Sequence, residues 1–107
     1  MNIGILLNYF KTMDYKFLNK VIDQIVRETV WDDPGYGGDS LDDYRIYGPF
    51  VGDDYRWLPY NYMMNPTISD LQSFENHCKG VYGLNKEESE YVWDEWRKII
   101  KDKINNG

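Results

Sequence analysis

A chain of 107 residues with 42% hydrophobic and 17% aromatic content has the size of one domain and enough apolar surface for a core, which excludes a disordered polypeptide. A net charge of −6 excludes electrostatic attraction to nucleic acid or to an anionic membrane, and the single cysteine, Cys78, excludes an internal disulfide. No apolar run approaches the roughly 18 residues of a membrane span, and the apolar stretch Met1 to Phe10 lacks the basic flank and cleavage site of a leader, so a soluble protein of a reducing cytoplasm is expected.

In chain order, Ile3, Leu6, Leu7, Phe10 and Met13 recur at helical spacing, although Gly4 leaves residues 2–12 open between helix and strand. The pattern sharpens over roughly residues 14–30. Phe17, Leu18, Val21, Ile22, Ile25 and Val26 form an apolar face opposite Lys16, Lys20, Asp23, Gln24 and Arg27, and Asp14 is placed to cap the N-terminus. The wide apolar face and mixed-sign polar face suit a core helix better than a membrane-surface helix. Asp32-Asp33-Pro34-Gly35 is expected to end it, because proline disfavours helical geometry in the residue before it.

The stretch from Trp31 to Pro66 holds all four prolines and six of the ten tyrosines. Within it, residues 32–56 carry seven aspartates against two arginines, so most of the charge imbalance of the chain sits there. Asp42-Asp43-Tyr44-Arg45 recurs as Asp53-Asp54-Tyr55-Arg56. The runs Tyr44–Tyr47 and Tyr55–Leu58 have β-type composition, and Pro49 to Asp54 between them supplies turn chemistry, which predicts a short, irregular hairpin packed against helices.

Thr67 with Asp70 three residues on forms a conservative capping box. Ile68, Leu71, Phe74, Cys78, Val81 and Tyr82 are expected along one face of the helix that follows, with Gly83 closing it. Asn85 and Glu88 cap the next helix, whose stripe is Val92, Trp93, Trp96, Ile99, Ile100 and Ile104. The tight link makes residues 67–105 a helical hairpin. The fold class is therefore α+β and mainly α, in one domain: an N-terminal amphipathic helical region (1–31), a central acidic, aromatic hairpin or loop module (32–66), and the C-terminal helical hairpin.

Chemistry-bearing motifs are scarce. His77 and Cys78 are adjacent, but neighbours on a helix point about 100° apart, and Cys78 falls on the apolar face, so a core cysteine is expected rather than a nucleophile. The aspartates lack the alternating spacing of a calcium loop. Paired acids beside aromatics could serve a small carbohydrate or metal site, or a hydrolase, which stands as a third reading. Phosphate-cradling glycine motifs and zinc motifs are absent, and the basic residues are dispersed, so no cofactor, no metal and no direct nucleic-acid contact are expected.

The remaining candidate is a partner-binding surface built from Asp42, Asp43, Tyr44, Asp53, Asp54, Tyr55 and Trp57. Tyrosine and tryptophan supply contact area at low entropic cost, and interleaved aspartates attract a basic protein, above all one with a cleft for nucleic acid, whose phosphates the carboxylates would imitate. In size, charge and composition the chain is similar to small phage-encoded inhibitors of host defence, including anti-restriction and anti-CRISPR proteins. That resemblance transfers no residue; it implies a non-enzymatic inhibitor in the host cytoplasm. The alternative is a homo-oligomeric phage structural or assembly protein, a homodimer at its simplest, with surplus aromatics at subunit contacts.

Overall fold

The computed structural model describes residues 13–32, 44–50 and 57–106. Its elements, in order, are α1 (Tyr15–Glu28), β1 (Val30–Asp32), β2 (Arg45–Tyr47), β3 (Leu58–Pro59), α2 (Tyr60–Met64), α3 (Ile68–Tyr82) and α4 (Lys86–Asn106). The described chain is mainly helical with a small antiparallel sheet and a C-terminal helical hairpin, the expected α+β class. Among the described residues no helix is long and apolar enough to cross a membrane.

α1 starts where its cap predicts: the Asp14 carboxylate accepts from the Phe17 amide at 3.1 Å. Leu18, Val21, Ile22 and Ile25 are buried, while Phe17, counted to the apolar face by spacing, is 41% exposed. The helix ends at Glu28, short of the expected stop at Pro34. Thr29 leaves helical geometry at φ −93° and ψ 129°, and the next three residues pair with β2. Val30 and Trp31, which periodicity would append to the helix, are instead a strand, because β-branched and aromatic residues gain more from cross-strand pairing than from one further turn.

The sheet order is β1-β2-β3, with Trp31 opposite Ile46 and Ile46 opposite Leu58. The expected hairpin partners do pair, but as the middle and one edge of a three-stranded sheet. Pro59, which cannot donate to a ladder, sits in the edge strand where that is tolerated. Residues 2–12 lie outside the described residues, as does the turn expected between the strands beyond Phe50.

α3 carries the full capping box: the Asp70 amide donates to Thr67 Oγ1 and the Thr67 amide to Asp70 Oδ2, each at 3.1 Å. It closes at Gly83, whose φ of +69° costs a glycine little, with the Gly83 and Leu84 amides returning to the Lys79 and Cys78 carbonyls. The Asn85 and Glu88 side chains and amides satisfy each other reciprocally at the start of α4. The α3 face is narrower than its spacing implied. Phe74 and Cys78 are buried, but Ile68 is 87% and Val81 60% exposed, because the seam against α4 follows the steps from 74 to 78 to 82.

The interior is aromatic. Phe50, Phe74, Trp93 and Trp96 meet edge to face or tilted, with Phe50 4.9 Å from Trp96 and Phe74 4.9 Å from Trp93. Such pairs add about 0.5–1.5 kcal/mol each beyond burial. Phe50, in the turn after β2, is a core residue that its proline- and glycine-rich surroundings concealed. Its ring lies so close to Gly48 that a Cβ there would come within 2.6 Å of it.

Candidate interaction surface

Because side chains alternate along a strand, the sheet has two faces of different character. Ile46 and Leu58 point into the core together with the half-buried Trp31. On the outer face, the register brings Val30, Asp32, Arg45, Tyr47 and Pro59 together, and Trp57 extends the row from the residue before β3. Asp32 stands directly opposite Arg45 and accepts from the Tyr47 hydroxyl at 3.4 Å. The Arg45 guanidinium lies over the Trp57 ring, 5.0 Å from its centroid, in a cation–π contact. Val30 remains 59% and Trp57 42% exposed.

Of the seven residues singled out from sequence, two are described. Tyr44 is half-buried against the core, with its carbonyl accepting from the Tyr60 amide at 3.1 Å, so its ring serves packing more than contact. Trp57 is exposed. The two bracket opposite ends of the β2–β3 ladder. Asp42, Asp43, Asp53, Asp54 and Tyr55 lie outside the described residues. The outer-face residues that sequence reasoning missed are Val30, Asp32, Arg45 and Tyr47. The strand run itself is legible in the sequence, whereas its outward side, and the place of Val30 and Asp32 beside it, become visible only with the pairing.

Beside Trp57 opens a groove of about 450 Å³ between β3, α2 and the first turns of α3. Phe50, Trp57 and Tyr62 give it aromatic walls, Ser69, Asp70 and Ser73 line its α3 side, and Trp93 also borders it. A smaller groove of about 250 Å³ lies between Ile68, Leu71, Glu75 and Glu90 on the other flank of α3.

The His77–Cys78 pair is separated by geometry. Cys78 is fully buried, and burial pushes its thiol up to about 12, only partly opposed by a hydrogen bond with Ser89. A thiol so held is not a nucleophile near neutral pH. Burial lowers the His77 pKa, with the Glu28 carboxylate opposing. Among the described residues no three His, Cys, Asp or Glu side chains gather as a metal site. No known protein family, characterised protein or solved structure matches the chain.

Proposed function

We propose that the chain is a non-enzymatic binding module that inhibits a basic, nucleic-acid-handling protein in the cytoplasm, in the manner of phage anti-defence proteins. The observation that carries this reading is the outer face of the sheet. It holds Val30 and Tyr47 on a small three-stranded platform beside Asp32, with Trp57 at its margin and the opposite face committed to the core. Aromatics already fixed by strand geometry and by the Arg45 contact lose little further freedom on binding. Charge then selects the partner. Residues 32–56 carry a balance of −5, and Asp42, Asp43, Asp53, Asp54 and Tyr55 flank the strands of this face in sequence. A basic cleft is drawn to such a surface over a distance of about one Debye length, about 8–10 Å at physiological salt.

The test is affinity capture from nuclease-treated bacterial lysate at low and high salt, with wild-type protein and two variants. Expected is a nucleic-acid-binding protein recovered at low salt and lost at high salt. Asp42→Asn/Asp43→Asn with Asp53→Asn/Asp54→Asn should weaken capture chiefly at low salt, and Trp57→Ala at all salt concentrations. Recovery of the chain alone, as a defined oligomer, would overturn the inhibitor reading. The exposed edge strand β1 and Val30 would then join copies of the chain, as in an assembly protein.

A further inference from the structure

We propose that the groove between β3, α2 and the start of α3 is a second binding site, one that takes the pyranose ring of a neutral carbohydrate. Its volume of about 450 Å³ is within the usual range of small-ligand sites, roughly 300–1,000 Å³. Its walls divide by chemistry. Phe50, Trp57 and Tyr62 present aromatic surface, with Trp57 and Tyr62 42% and 43% exposed at the rim. Arg45 covers part of the Trp57 indole and is not a wall of the groove, so Trp57 meets the groove with its remaining surface. A pyranose has the complementary form: C–H groups on its faces and hydroxyls around its edge.

The polar wall supplies hydrogen bonds of every kind. Asp70 spends Oδ2 on the capping box, whereas Oδ1 makes no hydrogen bond among the described residues and is an open acceptor. The hydroxyls of Ser69 and Ser73, able to donate or accept, make none among the described residues. Trp93, only 2% exposed, borders the same groove, and its indole Nε1 is buried with no acceptor among the described residues. An open acceptor and two-way hydroxyls together match a ring of alcohols better than an ion.

Charge balance leads to the same ligand class. Asp70 contributes −1 to the groove. The N-terminus of α3 contributes about +0.5, and the Arg45 cation lies on the Trp57 ring. Among the described residues that line the groove Asp70 is the one charged side chain, and the helix end opposes it in part. A guanidinium or ammonium would meet Arg45 and the helix end, and a carboxylate or phosphate would meet Asp70. A neutral polyol meets neither penalty. The site adjoins the proposed protein-binding face and shares Trp57 and Pro59 with it.

The four tryptophan indole N–H resonances of ¹⁵N-labelled protein provide the test. The probes are methyl β-glucopyranoside, methyl N-acetyl-β-glucosaminide, cellobiose and maltose, each taken to tens of millimolar. Expected is a saturable shift of the Trp57 and Trp93 resonances with at least one probe, while Trp96, whose indole is bonded to Thr29, stays in place. Trp57→Ala should weaken that binding at least tenfold, and Ser73→Ala, on an exposed helical position that suits alanine, several-fold. The unmoved Trp96 resonance reports that each variant is folded. The absence of a saturable shift from all four sugars would overturn the proposal. So would a shift unchanged in both variants, or saturation by arginine methyl ester in place of the sugars. Capture of a basic protein in the earlier experiment is unaffected by any of these outcomes.

Discussion

Trp93 and Trp96 stand three residues apart on α4, both buried, both in the same aromatic cluster, and they occupy different kinds of interior. The Trp96 indole donates to Thr29 Oγ1 at 3.0 Å, and that hydroxyl donates onward to the Ile25 carbonyl at 2.6 Å. This buried relay ties the end of α1 to the middle of α4, sixty-seven residues away, at the place where the chain turns from helix into β1. The Trp93 indole has no acceptor among the described residues and borders the two grooves described above, one on each flank of the start of α3. Between α1 and α4 the polar groups of Trp96 and Thr29 are thus spent on one another and on the Ile25 carbonyl. The α3–sheet side keeps polar groups unspent beside open volume. Satisfied networks specify a core, and unsatisfied groups next to a groove mark where something else can bind.

The comparison breaks most visibly if Trp96 is removed. Trp96→Ala should cost about 3–5 kcal/mol, the range for large aromatic truncations in a core, because it deletes contacts to Phe50 and Trp93 and strands Thr29. Urea unfolding followed by circular dichroism measures it, with the midpoint shift read at constant slope. A loss below about 1 kcal/mol would mean that the relay and its cluster do not hold α1 to α4.

A finer comparison keeps the ring and removes only the indole nitrogen. Trp96→Phe and Trp93→Phe shed similar apolar area, but the first breaks a buried hydrogen bond and the second removes a donor that has none among the described residues. Trp96→Phe should therefore be the more destabilising by about 1–3 kcal/mol. Equal losses would show that Trp93 Nε1 is satisfied in solution, by water in the groove for instance.

Where the sequence was legible, the reason is local chemistry. Asp14, Thr67 with Asp70, Gly83, and Asn85 with Glu88 each act within a few residues, so helix starts and the α3–α4 turn could be read directly. What stayed hidden depends on distant partners. β1 exists because Trp31 meets Ile46, and a helical reading of Thr29-Val30-Trp31 has no access to that pairing. Phe50 lies in a proline–glycine turn and is core only because Phe74, Trp93 and Trp96 converge on it from the hairpin. Ile68 and Val81 were assigned to the core by period alone, which cannot tell how far along a helix its neighbour reaches. The outer sheet face stayed hidden for the same reason: the strand run was legible, but which side of β2 faces outward, and the β1 residues beside it, follow only from the pairing. The groove combines β3, α2 and α3, and α2 itself, between Pro59 and Pro66, was not anticipated.

The smallest effect sharpens the comparison at the second unspent nitrogen, His77 Nε2. This atom is buried without a partner among the described residues, on the same α3 that carries the polar wall of the groove. Its ring meets Tyr82 edge-on at 6.0 Å, with Glu28 of α1 nearby. Burial lowers its pKa and Glu28 opposes, with burial the larger effect. The unfolded chain, titrating near the ordinary value of 6.5, then binds the proton more readily than the folded one. The contribution of neutral His77 to stability is complete above that value and is lost as pH falls through it toward the lower folded pKa. His77→Gln has no such titration. The melting temperature of the variant should therefore gain on wild type between about pH 7.5 and about pH 5.5, the window in which an unperturbed histidine charges. A wild type that gains on the variant over the same interval would mean that Glu28 outweighs burial, and that this nitrogen is held in an ion pair and is not unspent at all.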